Sequence, residues 1–254
     1  MQLLIKLFLN IFSRGFLIRI SFFVKPILKV LMRGNKFTDP IDGSTFQAFL
    51  PYGYNKIRNN VLSPSTYSLE RHRLLWLYLK NETSFFKAKL KVLHFAPESA
   101  LMNRFKKLKN ISYDTIDLNS PIADIKADIC DLPFLDNSYD FILCNHVLEH
   151  IIDDNKAMKE LYRVLKKNGI GIFQVPMDYN RNTTFEDFSV TNKKERNKLF
   201  GQYDHVRIYG LDFFDRLQKA GFSVERCEYT SKLSNEDIIK FCLPKKEIIP
   251  ICRK

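Results

Sequence analysis

No acidic residue occurs in the first 38 positions of this 254-residue chain, and no C-x-x-C pair occurs anywhere. The longest uncharged apolar-rich run, Leu7 to Ser13, is far short of the roughly 20 residues that span a bilayer. A membrane-spanning segment is therefore excluded near the N-terminus. A secretory signal is not expected either, because Arg14 and Arg19 interrupt the apolar stretch and no small-residue cleavage site follows. The five cysteines, Cys130, Cys144, Cys227, Cys242 and Cys252, are odd in number and widely spaced. They read as reduced thiols of a cytosolic protein, not as a disulfide framework or a zinc site. Apolar residues make up 45% and charged residues 27% of the chain, which excludes a disordered, collagen-like or polytopic chain.

Basic residues exceed acidic ones by 40 to 28, but the excess is uneven. Lys6, Arg14, Arg19, Lys25, Lys29, Arg33 and Lys36 give the first 38 residues +7, leaving +5 for the other 216. The basic character belongs largely to this tail, so a nucleic-acid-binding face on the body is disfavoured. Within residues 1–33, Lys25, Lys29 and Arg33 recur every fourth position and share one helix face, with Phe, Leu and Ile over much of the rest. Two readings stand. One is a helix lying in the headgroup layer of an anionic cytoplasmic membrane. The other is a helix packed on protein with a solvated basic stripe. Pro26 is expected to break or kink it.

Residues 34–84 read as a small module and a linking helix. Asp39-Pro40-Ile41-Asp42-Gly43 and Ser63-Pro64-Ser65-Thr66 share the spacing X-P-x-X. With Cys at each X this is a zinc-ribbon text. Here the positions hold Asp39, Asp42, Ser63 and Thr66, a poor ligand set for zinc, so no metal is expected. Either a ribbon-like element has lost its metal, or two Pro-containing turns lie in a loop. Leu69 to Leu79 reads as a helix, with Glu70, Arg71 and Arg73 in ion pairs and His72 structural.

Residues 85–235 alternate short apolar strands with helical stretches. Strands are expected near 90–96, 112–117, 139–144, 171–176 and 222–227, and helices at 100–107, 153–166 and 211–220. That alternation predicts an α/β fold with a mostly parallel, doubly wound sheet. Ligands of such sheets lie beyond the strand carboxyl ends. The informative residues are then Ala96 to Glu98, Asp117, Asn145 to Glu149 and Pro176 to Asp178. Residues 236–254 are expected as a C-terminal tail.

The texts Asp131-Leu132-Pro133-Phe134, Ser138-Tyr139-Asp140, Leu148-Glu149-His150 and Glu160-Leu161-Tyr162-Arg163-Val164-Leu165-Lys166-Lys167-Asn168-Gly169, in this order, resemble the class I S-adenosylmethionine-dependent methyltransferases of the type 11 group. The chain is also similar to a bacterial branch with L-H-F-A-P-E in the first loop and a C-P-x-C ribbon before an L-E-R-H-R helix. The resemblance implies a Rossmann-like seven-strand sheet, S-adenosylmethionine as cofactor, and methyl transfer to an unidentified small-molecule or glycan- or lipid-linked acceptor. The alternative is a non-catalytic, membrane-associated interaction protein on the same fold. No N-P-P-Y text follows the fourth strand, which again disfavours nucleic acid.

The resemblance also assigns roles. Asp117 would accept the ribose hydroxyl protons. Asp128 would receive the adenine amine, unless it is Asp124 or Asp131 that does not cap a turn. The first loop, His94-Phe95-Ala96-Pro97-Glu98-Ser99-Ala100, lacks the family's glycines. Ala96 would allow close approach of the cofactor there, and Glu98 would hold its ammonium. Asn145 and His146 would flank the sulfonium. The stretch Met177 to Tyr209 would form the substrate lid, in which Asp204 orients His205 as general base. Otherwise Glu195–Arg196 and Asp204–Arg207 are structural ion pairs there. His146 is the second catalytic candidate. Glu149 and His150 are expected to fix the strand–helix junction.

Overall fold

The computed structural model describes residues 24–53 and 57–254. Most of the expected membrane-binding segment, residues 1–23, lies outside the described residues. Residues 24–31 are helical across Pro26. No helix among the described residues is long and apolar enough to cross a membrane.

Two small hairpins follow. Strands β1 (Arg33–Thr38) and β2 (Thr45–Phe46) pair antiparallel, as do β3 (Leu50–Tyr52) and β4 (Arg58–Leu62). Their shared core is Phe37, Phe46 and Phe49. The four ribbon-spaced residues converge in hydrogen bonds. Asp39, fully buried, accepts from Ile41 N at 2.9 Å, Thr66 Oγ1 at 2.5 Å and Ser68 Oγ at 3.1 Å. Asp42 accepts from Ser65 Oγ at 3.1 Å, and Ser63 Oγ accepts from the Ser65 and Thr66 amides. Carboxylates and hydroxyls thus tie the two turns together where a ribbon would use thiolates.

Helix α1 (Glu70–Glu82) carries the module onto the main body. Arg73, expected in a surface or interdomain ion pair, is fully buried. The guanidinium donates to the carbonyls of Val61 and Ser68 in the module and of Phe241 and Cys242 in the C-terminal region, at 2.7–3.0 Å. Burial lowers its pKa to about 10.

The body is a seven-stranded sheet. In chain order its parts are β5 (Leu90–Phe95), α2 (Ser99–Phe105), β6 (Ile111–Asp117), β7 (Ile125–Lys126), β8 (Tyr139–Cys144), α3 (Asp154–Val164) and β9 (Leu165–Ile172). Then come β10 (Phe185–Glu186), α4 (Lys193–Phe200), β11 (Arg207–Ile208), α5 (Phe213–Lys219), β12 (Ser223–Cys227), α6 (Asn235–Lys240) and β13 (Ile249–Arg253). The strand order is β12-β13-β9-β8-β5-β6-β7. It is parallel from β9 to β7 and antiparallel where β13 enters between β9 and β12.

Strand alternation places the core on both faces. Leu93, Phe95, Ile142 and Cys144 pack with Ala157, Met158, Leu161 and Val164 of α3 and Phe213 and Leu217 of α5. Val92, Phe141 and Leu143 pack with Leu74, Leu75 and Tyr78 of α1 and Leu101 and Phe105 of α2. Helices cover both faces, the doubly wound arrangement expected from the sequence.

Three expectations change. Residues 236–254 are not a tail: Ile249, Ile251 and Cys252 are fully buried in the sheet, so the domain extends past residue 235. The text Ile249-Pro250-Ile251-Cys252 is short and carries a proline, so it gives little strand signal. The third helix stops at Val164, two residues early, and its strand begins at Leu165. The expected lid is an ordered unit, since β10 pairs with β11 across the intervening α4.

Candidate active site

The carboxyl ends of β5, β6 and β8 open on a cleft of about 480 Å³. Its walls include Ala96, Asp117, Asp128 and His146, four of the residues singled out from the sequence. Ile116, Leu118, Ile129 and Val147 supply apolar surface. Asp117 Oδ1 accepts from the amides of Asn119 at 2.7 Å and Ser120 at 2.5 Å, which fixes the carboxylate and leaves Oδ2 for a ligand. Asp128 Oδ1 accepts from Cys130 N at 2.8 Å. The competing Asp124 is spent on structure: it takes Lys106 Nζ at 2.9 Å and Thr115 Oγ1 at 2.6 Å.

The glycine-free first loop still adopts a glycine-like turn. Ala96 has φ +44° and His146, one strand over, has φ +55°. Left-handed backbone at non-glycine residues is uncommon and strained, and it concentrates at functional sites. The smallness of Ala96 eases the strain and keeps the turn open to the cleft.

Glu98 and Asn145 are corrections, because neither lines the cleft. The turn at Ala96-Pro97 swings Glu98 inward, where its Oε2 lies 2.7 Å from His94 Nε2 and its Oε1 lies 3.5 Å from Asn145 Nδ2. His94 Nδ1 lies 2.7 Å from the Tyr113 hydroxyl, so Glu98 ends a buried relay. Burial alone raises the Glu98 pKa; the charge and hydrogen bond of His94 outweigh it and hold the carboxyl at about 2. His72 lies on the other side, with Nε2 3.8 Å from Glu98 Oε1. Its Nδ1 accepts from Leu69 N at 3.2 Å. Burial lowers its pKa to about 3, so this imidazole is neutral.

A second cavity, of about 860 Å³, adjoins the cleft. His146 and His150 line both. Its remaining walls come from three distant segments. Tyr52 and Arg58 belong to the N-terminal module, Arg71 to α1, and Phe200, Tyr203, His205 and Arg207 to the lid. Arg71, expected in a surface or interdomain ion pair, instead has a buried Nε without a partner. No sequence signal marked Tyr52 or Arg58, and the L-E-R-H-R text that contains Arg71 did not point to the cavity, since only the docking of the module brings them to the sheet edge.

His205 is 9% exposed, and burial lowers its pKa. Asp204 does not orient it. His150 Nδ1 lies 3.2 Å from the Asp204 carbonyl and 3.6 Å from its carboxylate, so Asp204 serves His150. Nor does Asp204 pair with Arg207. That guanidinium, 1% exposed, donates to Glu186 Oε2 and to the carbonyls of Leu148 and Ile152 at 2.8–2.9 Å. Arg207 thereby ties the lid to the turn after β8. The Nε2 of His146 is buried and unpartnered, on an imidazole that both cavities share.

Residues 87–173 match the family model described as a methyltransferase domain, of the type 11 group. The ubiquinone/menaquinone biosynthesis C-methyltransferase UbiE of Rickettsia typhi is 44% identical over 64 residues, 24% of this chain and 26% of that protein. An uncharacterised protein of Methanocaldococcus jannaschii is 39% identical over 71 residues, 27% of this chain and 31% of that one. The chain thus spans only about a quarter to a third of the curated relatives it matches. Among solved structures, an S-adenosylmethionine-dependent methyltransferase of Mesorhizobium loti aligns over 71% of this chain and 98% of its own, at 13% identity and a TM-score of 0.50. At that identity the likeness speaks to fold alone. Residues 87–173 thus match a methyltransferase domain, and the order of the sheet around them is that of a Rossmann-like methyltransferase fold.

Proposed function

We propose that the chain transfers a methyl group from S-adenosylmethionine, held in the cleft, to a polar acceptor in the adjoining cavity. The observation that carries this reading is the shared wall. Among the described residues, His146 and His150 alone line both spaces. The bound cofactor supplies an electrophilic methyl group. The residues of the cleft suit the rest of the molecule: Asp117 Oδ2 is available to a ribose diol, Asp128 to the adenine amine, and Ile116, Ile129 and Val147 to the adenine face. Methyl transfer is an in-line displacement, so the chain mainly aligns the nucleophile. Where that nucleophile is a hydroxyl, it also removes a proton. His146 and His205 are the bases at hand, and burial lowers the pKa of His205.

Arg71, whose Nε is buried without a partner, and Arg58, ion-paired with Glu70 at 2.9 Å, give the acceptor cavity cationic groups. They favour an acceptor bearing phosphate or carboxylate, a small molecule or a glycan- or lipid-linked one. The test is methyl-labelled S-adenosylmethionine offered with small-molecule and lipid-linked fractions. Transfer to an anionic acceptor, lost in Arg71→Ala with cofactor binding kept, supports the reading. Failure of the native chain to bind S-adenosylmethionine overturns it.

A peripheral membrane position on the cytoplasmic face is part of the same proposal. In the helical stretch 24–31, Ile27, Val30 and Leu31 are 58%, 73% and 76% exposed, an apolar face left uncovered. With the six cations of residues 1–33, it would give reversible, salt-sensitive binding to an anionic surface. Equal co-sedimentation of the full chain and a chain lacking residues 1–33 with anionic vesicles would refute this.

A further inference from the structure

One carboxylate and two imidazoles meet where the acceptor cavity touches the cofactor cleft. Glu149 and His150 lie in the single turn after β8, and His205 comes from the lid, 55 positions further along the chain than His150. One ligand atom from each lies within 4.8 Å of the others. The two imidazole rings stand edge to face, with centroids 4.7 Å apart.

The hydrogen bonding around the three is that of a ligand set. Metal-bound histidines usually donate their second ring N–H to a carbonyl or carboxylate, which fixes the tautomer and aims the free lone pair. His150 Nδ1 faces the Asp204 carbonyl at 3.2 Å. A carbonyl only accepts, so the proton is on Nδ1 and the Nε2 lone pair is free. Glu149 is 1% exposed; its Oε1 lies 3.3 Å from His146 Nδ1, while its Oε2 is buried without any partner. A buried carboxylate oxygen left unpaired is a destabilising arrangement that a cation would relieve.

We propose that Glu149, His150 and His205 bind one divalent first-row transition-metal ion. Two imidazoles and one carboxylate without a thiolate suit zinc, manganese, iron or cobalt better than magnesium or calcium, which prefer all-oxygen sets. Three protein ligands leave coordination positions open, and all three residues line the acceptor cavity. On the methyltransferase reading above, those positions would take an oxygen of the acceptor, such as a hydroxyl or phosphate. His205 would then serve as a ligand, and His146 remains as the base. Bonds of about 2.0–2.2 Å require the set to contract on binding, a movement the lid can supply through His205.

The test uses the tag-free full chain, stripped with chelator and titrated with Co²⁺, read by its visible absorption, and then with Zn²⁺ in competition. The expected result is one ion per chain, with affinity lowered at least tenfold in Glu149→Gln and in His205→Ala. Asp39→Asn, in the ribbon-like module, should leave the ion in place. Circular dichroism shows whether each variant is folded, and Glu149→Gln is nearly isosteric. No stoichiometric uptake by the native chain, or uptake unchanged in both ligand variants, overturns the inference. S-adenosylmethionine titration of the same samples separates the two readings. Cofactor binding without metal sinks the metal site alone, and metal without cofactor sinks the methyltransferase reading alone.

Discussion

The cleft over β5, β6 and β8 and the cavity that adjoins it share two histidines but are built in opposite ways. The cleft is made from strand ends and the turns that follow them, within residues 95–151 apart from Asp204. The acceptor cavity joins residues from 52 to 208, supplied by the module, α1, the turn after β8 and the lid. The ligand held by a fold's own strand ends can be recognised from a contiguous text. A ligand held between appended segments cannot, because its site exists only after those segments dock. The same division separates what the domain's family tells, the cofactor, from what it does not, the acceptor.

Arg73 offers the strongest way to break that comparison. Its single guanidinium bridges module and C-terminal region through four carbonyls. Arg73→Met strands those acceptors, and disrupting a buried charged network typically costs about 3–5 kcal/mol. Chemical denaturation should show that loss, and limited proteolysis should release the module first. Cofactor binding should survive while acceptor methylation disappears. If cofactor binding falls in step with the module, the two sites are one unit and the comparison fails.

Asp39→Ala is a milder form of the same intervention. It leaves the Ile41 amide and the Thr66 and Ser68 hydroxyls without their acceptor inside the module. About 2–3 kcal/mol of destabilisation is expected, on the scale of hydrogen bonds to a charged group. A denaturation midpoint unchanged from the native chain would show that the turns are held by something else.

His72 links the two regions, reaching from α1 to Glu98 beside the cofactor loop. Its pKa in the folded protein is depressed by burial to about 3, from the ordinary 6.5. The unfolded chain therefore binds a proton that the folded chain refuses between those values. Stability falls as pH drops below about 6.5, by up to about 1.4 kcal/mol per unit. Glu98, depressed to about 2, adds its own loss below about pH 4.5. Unfolding free energies from urea titrations at pH 7.5 and 5 should differ by about 2 kcal/mol in the native chain, and His72→Gln should flatten that difference. An equal pH dependence in the variant would place the titrating group elsewhere.

How much was legible follows from the same contrast. The alternation of apolar strands and amphipathic helices gave the doubly wound sheet, since Leu93, Phe95, Ile142 and Cys144 pack where period-2 alternation puts them. The places of Asp117 and Asp128 in the cleft wall were legible because each ends or follows a strand. Glu98 was misread because chain proximity to the cleft says nothing of the direction in which Pro97 turns the side chain. Strand β13 was missed because Pro250 weakens its signal, and its place between β9 and β12 depends on long-range pairing. The pairing of Asp204 with His150 instead of His205 could not be read from adjacency, and the role of Arg71 awaited the docking of α1. The non-catalytic reading of the fold finds no support in the methyltransferase family match.

The central claim is that the cleft over β5, β6 and β8 holds S-adenosylmethionine through Asp117. Calorimetric titration of the full chain with S-adenosylmethionine, native and Asp117→Ala side by side, tests it most directly. The account expects one site per chain, weakened in the variant by about 1.5–3 kcal/mol, roughly 10- to 150-fold. No binding by the native chain, or the same dissociation constant in both, would contradict it.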